Sequence, residues 1–232
     1  MPPAELTFAI GDTHGCREML ERLLERCFRF AGERPARMVF LGDYIDRGPD
    51  SRGVVRTLID LQRQLPDRVV CLRGNHEVLL LEALANDDMG LWLFNGADAT
   101  LASYGVDHVS ALPPEHLAWF AALKSSFDDG RRFFVHAGVD PDRPLDQQRD
   151  YDLAWMREPF LSRARDYGRL IVHGHTPRRS GKPELRPWRL NLDTAAVYGG
   201  RLTAAVFDDR RAGPLAYLTD QSDAQPVQAA AS

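Results

Sequence analysis

Hydrophobic positions change texture part-way along the chain. Before Gly130, short apolar runs alternate with segments whose apolar residues recur at helical spacing. Leu6–Ile10 reads as a strand. Leu20, Leu23, Leu24, Cys27 and Phe28 then repeat on one helical face, which predicts an amphipathic helix over 16–30 with Arg and Glu outward. A second strand follows at 38–41. Asp50 or Ser51 then caps a helix carrying Val54, Val55, Leu58, Ile59 and Leu65, which Pro66 and Asp67 break, and 69–72 is a third strand. Strands separated by single helices imply right-handed crossovers and a largely parallel sheet. Residues 77–85, 97–104 and 114–123 read as further helices, the last with proline in its first turn. After Gly130 the candidates are short strands joined by loops, at 132–135, 170–172, 190–192, 202–207 and 215–218. They predict a second sheet or an extension of the first, so the fold class is α/β.

Composition narrows the class. With 232 residues, 44% hydrophobic and 27% charged, the chain is long enough to bury most of its apolar surface in one domain. That domain is expected over 1–220. The tail 221–232, rich in Gln and Ala, is expected to be disordered. Twenty-nine Lys plus Arg against thirty-three Asp plus Glu give a net charge of −4, which argues against a general nucleic-acid partner. The cysteines Cys16, Cys27 and Cys71 form no C-x-x-C pair and suit a reducing compartment. The first residues lack a basic segment followed by an apolar one, and even the greasiest stretch, 90–106, is broken by Asn95 and Asp98. A cytoplasmic, monomeric protein without a membrane span is expected.

The chemistry lies at the strand ends. The first strand runs into Gly11-Asp12-Thr13-His14-Gly15, the second into Gly42-Asp43-Tyr44-Ile45-Asp46-Arg47-Gly48, and the third into Arg73-Gly74-Asn75-His76-Glu77. Later strands run into His136-Ala137-Gly138 and His173-Gly174-His175-Thr176. Carboxyl ends of strands form the ligand crevice of open α/β sheets, so five loops are expected to converge. Five of the seven histidines lie in them, leaving His108 and His116 elsewhere. Carboxylate, amide oxygen and imidazole suit divalent Mn, Fe or Zn, and thiolates are absent from these positions. Each loop also has a plain structural explanation as a capped turn or an Asx turn; five coinciding at one kind of strand end favours the metal reading.

The ordered set GDTHG, GDYIDRG, GNHE, HAG and HGHT resembles the metallophosphatases of the phosphoprotein phosphatase class, in their short bacterial and bacteriophage form, within the calcineurin-like phosphoesterase superfamily. The resemblance runs from Ile10 to about Phe207, and residues 92–104, containing Asn95-Gly96-Ala97-Asp98-Ala99-Thr100, are similar to a block of the bacterial branch. It implies a two-sheet β-sandwich core flanked by helices (αββα), with the active site at the C-terminal ends of the strands. It implies two divalent metal ions, Mn2+ foremost with Fe or Zn as alternatives. Asp12 and His14 would bind the first, Asp43 would bridge both, and Asn75, His136 and His175 would complete the second. His173 would lie behind the ligands. Asp46 would orient His76 as general acid, and Arg47 and Arg157 would grip phosphate oxygens while a hydroxide shared by the metals attacks phosphorus in line.

The first reading is therefore a phosphomonoesterase of the protein serine/threonine phosphatase type, acting on a phosphorylated protein or a small phosphoester. A symmetrical dinucleoside tetraphosphate hydrolase is the alternative; Glu77 and Asp46 lean against it, because that branch commonly has Asp at the first position and often lacks the second. A non-catalytic module binding phosphorylated partners is a further alternative. The basic loop 178–182 is read as solvated surface, Cys16 as a packed thiol, and Arg73 as a structural salt-bridge former.

Overall fold

The computed structural model describes residues 5–221 and 225–226. In chain order the elements are β1 (Leu6–Ile10), α1 (Arg17–Ala31), β2 (Ala36–Phe40), α2 (Ser51–Gln64), β3 (Val69–Cys71), α3 (Asn75–Asn86), α4 (Gly90–Phe94), α5 (Ala97–Tyr104), α6 (Pro114–Ala122), β4 (Ser126–Asp128), β5 (Arg132–Val135), α7 (Asp150–Trp155), β6 (Leu170–His173), β7 (Glu184–Leu185), β8 (Arg189–Asn191), β9 (Thr203–Asp208), β10 (Ala216–Thr219) and β11 (Gln225–Pro226). They form a six-stranded sheet ordered β11-β10-β9-β1-β2-β3 and a five-stranded sheet ordered β4-β5-β6-β8-β7. Strands β1, β2 and β3 are parallel, as the crossovers require, and β9 and β10 extend that sheet antiparallel. Both expectations for the second half hold at once: β9 and β10 extend the first sheet, while β4 to β8 build the second.

Alternation along the strands sets the layers. Ala9, Val39, Leu41, Ala205 and Phe207 of the first sheet meet Phe134, Leu170, Val172, Leu190 and Leu192 of the second between the sheets. Leu6, Phe8, Ile10, Met38 and Phe40 point the other way, into a core closed by α1, α2, α3 and α5. Phe133, Val135 and Ile171 face outward from the second sheet and pack on Leu153 of α7 and on Phe160. The result is the expected αββα sandwich.

Local chemistry explains the element ends. Asp50 caps α2 by accepting the Gly53 N–H at 2.7 Å. Helix α3 begins at Asn75, two residues before the predicted start, because Glu77 reaches back to the Gly74 N–H at 2.9 Å and places Asn75 and His76 on the first turn. Among the described residues Arg73 forms no carboxylate pair; it donates to the carbonyls of Ala121 and Leu123 at the C-terminal end of α6. Of the tail expected to be disordered, Gln221 and the short strand β11, which pairs with β10, are described; the rest lies outside the described residues. Among the described residues no helix is long and apolar enough to cross a membrane.

Candidate active site

The strand-end loops converge at one end of the sandwich. His136 Nδ1 lies 2.9 Å from the Leu41 carbonyl, which ties the β5 loop of one sheet to the β2 strand of the other. Gly174 packs so closely on Asp12 that a Cβ at that position would stand 1.9 Å from Asp12 Oδ1, so only glycine fits there. The next residue turns its backbone N–H onto the same carboxylate, His175 N to Asp12 Oδ2 at 3.0 Å. His14, Asp43, Asp46, Arg47 and His175 all have positive φ, between 42° and 72°, although none is glycine. Such backbone is held in place only by well-determined surroundings and gathers at functional sites.

Asp43 is the centre of the arrangement. Its Oδ1 lies 3.3 Å from His136 Nε2, and its Oδ2 lies 3.5 Å from His14 Nε2 and 3.9 Å from His76 Nε2. Asn75 Oδ1 stands 3.0 Å from His136 Nε2 and 2.8 Å from His175 Nδ1. His14 Nδ1 and His136 Nδ1 donate to the carbonyls of Ile45 and Leu41, which turns each Nε2 toward Asp43. Among the described residues, two groups of buried ligand atoms could each hold a metal ion: His14, Asp43 and His76, and Asp43, His136 and His175. Asp43 belongs to both.

Electrostatics favours a cation here. Burial drives the His14 imidazole down to about 3 and His175 to about 2, so both are neutral and offer lone pairs. Burial, with Asp193 and Asp43 nearby, pushes the Asp12 carboxyl well above its usual range, and Glu77 rises to about 7 for the same kinds of reason. His136 is the exception: burial alone would lower it, but Asp43 lifts it to about 9 and is itself held low by that contact. Oxygen and nitrogen donors around an excess of carboxylate fit divalent ions of the Mn, Fe and Zn kind.

Asp12, His14, Asp43, Arg47, His76, Arg157 and His175 line a cavity of about 80 Å³, with Pro177, Asp193, Ala196, Val197 and Tyr198 completing its wall. Asn75 and His136 are buried, within contact of His175 and Asp43. All ten residues expected from the sequence are thus brought together. A larger depression of about 920 Å³, lined by Lys124, Arg143 and Tyr167 among others, contains none of them. Arg47 Nη1 lies 2.9 Å from His14 Nε2, and its guanidinium covers the Tyr198 ring at 5.7 Å. His76 Nδ1 is bonded to Asp46 Oδ2 at 2.6 Å.

The chain matches the calcineurin-like phosphoesterase family over residues 7–200. It belongs to that family. As a member it is a metallophosphoesterase, a hydrolase of phosphoric esters. It is 31% identical to serine/threonine-protein phosphatase 1 of Salmonella typhimurium, across 85% of this chain and 90% of that protein. It is 27% identical to an asymmetrical bis(5'-nucleosyl)-tetraphosphatase of Anoxybacillus flavithermus, across 86% and 89%. A solved cold-active protein-tyrosine phosphatase of a Shewanella species shares the fold, with a TM-score of 0.68 at 16% identity, over 98% of this chain and 83% of that one.

Several neighbours of the phosphoesterase site have roles that the sequence did not assign. Asp193 and Tyr198 follow β8, a sixth strand end that the same strand-end rule would have flagged. Glu77 accepts the N–H groups of Asp43, Tyr44 and Gly74 and so shapes the Asp43 turn from beneath. Trp92 and Thr100 both hydrogen-bond Asp46. His173 lies outside the cavity lining, donating Nδ1 to the Gly174 carbonyl and packing on Phe160. In the basic loop, Arg178 is taken up by Glu184 at 3.1 Å. Cys16 is a half-buried thiol pushed up to about 11 by burial, as packing rather than reactivity requires.

Proposed function

We propose that this phosphoesterase is a protein serine/threonine phosphatase with two divalent ions, Mn2+ preferred over Fe or Zn. Asp12, His14 and Asp43 would hold one ion, and Asp43, Asn75, His136 and His175 the other. The observation that carries the reading is Asp43, a single buried carboxylate whose two oxygens face separate imidazole groups. Asp12 stands outside the two compact donor groups, yet it lines the same cavity, and a nearby cation is what its raised carboxyl needs in order to ionise. When bound, two such ions supply Lewis acidity, an acidified water and neutralisation of charge along an in-line path.

The protein's own groups do the rest. Arg47 and Arg157, on the cavity wall, offer planar forks to the equatorial oxygens of a phosphoryl group. His76 is assigned as proton donor, not ligand: Asp46 holds its Nδ1, which directs Nε2 at the cavity and suits delivery to a departing alkoxide. A cavity of about 80 Å³ leaves most of either substrate outside it, and the 31% identity to serine/threonine-protein phosphatase 1 is what favours a phosphorylated protein. Retention of Asp43, Asp46 and His76 speaks against a non-catalytic phospho-binding module. Three free cysteines support the cytoplasmic setting.

Dinucleoside tetraphosphate hydrolysis is the second reading. Tyr198 favours it, since its ring is 61% exposed at the rim beside Arg47, where a base can stack. Parallel turnover by the Mn-loaded chain of a phosphoserine peptide and of diadenosine tetraphosphate separates the two. The first reading expects the peptide to be cleaved with the higher kcat/KM; cleavage of the dinucleotide alone would replace it with the second.

A further inference from the structure

The block 92–104 forms α4 and α5 and lies against the Asp46–Arg47 turn. We infer that it is a clamp in which Trp92 and Thr100 are positioning residues for the proton donor, an inference that rests on the reading of His76 as that donor. Asp46 is fully buried with φ 72°. Its Oδ2 receives His76 Nδ1 at 2.6 Å and Trp92 Nε1 at 2.8 Å. Its Oδ1 receives the Thr100 hydroxyl at 2.7 Å, and the same hydroxyl oxygen accepts the Asp46 N–H at 2.8 Å.

A carboxylate held by its histidine alone can rotate and exchange its oxygens. Here each oxygen has its own anchor, so the carboxylate plane is fixed and the imidazole is fixed through it. Trp92 and Thr100 are themselves buried, 1% and 0% exposed, so water does not compete for these bonds. Neither lines the cavity, so both act through Asp46. The clamp also reaches the phosphate-gripping arginine. Between α4 and α5, Gly96 accepts the Arg47 N–H at 3.1 Å, and with φ 99° and a would-be Cβ only 2.9 Å from Arg47 Cγ this position requires glycine.

A clamp on the proton donor matters most when the leaving group is poor. p-Nitrophenolate departs without a proton, whereas phenolate gains from one. The test compares the Mn-loaded wild type with Thr100→Val, Thr100→Ser and His76→Asn on phenyl phosphate and p-nitrophenyl phosphate, with bound metal measured in each. Thr100→Val is expected to lower kcat on phenyl phosphate about tenfold and on p-nitrophenyl phosphate by less than about twofold, at unchanged KM and metal content; Thr100→Ser restores most of the loss. His76→Asn is expected to discriminate in the same sense by about 100-fold. Equal losses on both esters, or none, in Thr100→Val while His76→Asn discriminates would overturn the clamp alone. If His76→Asn fails to discriminate, the donor reading falls and takes the clamp with it.

Discussion

Two carboxylate clusters in this molecule, one partly buried and the other fully buried, are neutralised in different ways. Near β7, one carboxylate, Glu184, is met by three arginines: Arg189 at 2.7 Å, and Arg178 and Arg186 at 3.1 Å each. At the strand ends Asp12, Asp43, Asp193 and Glu77 are buried together among imidazoles, and Arg47 and Arg157 are the arginines on the cavity wall. The first cluster is complete with protein charges. The second has a deficit of positive charge, which shows as carboxyls raised by burial and by one another. A structural cluster and a metal-type cluster thus differ less in residue kinds than in whether the chain itself supplies the countercharge.

That contrast predicts different responses to metal. Adding Mn2+ to metal-free protein at about 100 times its dissociation constant should stabilise the fold by about 2.7 kcal/mol for each ion held. Thermal unfolding of wild type and Glu184→Gln should show the same increment, because the β7 cluster has no need of the ion. A Glu184→Gln protein whose increment vanished would erase the distinction between the clusters.

A smaller effect comes from the complete cluster itself. Burial alone would raise the Glu184 carboxyl, but the Arg189 hydrogen bond and the surrounding arginines win and hold it below its usual range. A carboxyl depressed in the folded state adds stability above its ordinary value of 4.5, and that stability is lost as pH falls through the lowered value. Glu184→Gln leaves Arg189 buried with a weaker partner, at a cost of about 2 kcal/mol near neutrality. The gap between wild-type and variant melting temperatures should narrow on acidification below pH 4.5; a gap that widened there would contradict the pairing.

Much of this was legible in the sequence because it is local. Short apolar runs marked β1 and β9, helical spacing marked α1 and α2, and the strand-end motifs carried every expected site residue but Arg157, which follows α7. Elements without a local pattern were not legible. Strands β4 and β7 are three and two residues long at the sheet edge, and α7 has six residues, too few for periodicity to appear. The anchors of Asp46 lie 46 and 54 positions away, so no spacing rule joins Trp92 and Thr100 to it. Arg73 was expected to meet a carboxylate and met helix carbonyls instead, because the end of α6 is brought beside β3 by the fold rather than by sequence.

As proposed, Asp43 would be shared by two ions. Equilibrium dialysis against Mn2+, with metal counted per chain and phosphoester hydrolysis followed on the same samples, tests it directly for wild type and Asp43→Asn. Expected are two ions per wild-type chain, activity lost to chelation and restored by Mn2+, and an Asp43→Asn protein that fails to hold the pair and loses at least about 100-fold in kcat. Full occupancy and undiminished hydrolysis in Asp43→Asn, or wild-type hydrolysis indifferent to chelation, would contradict it.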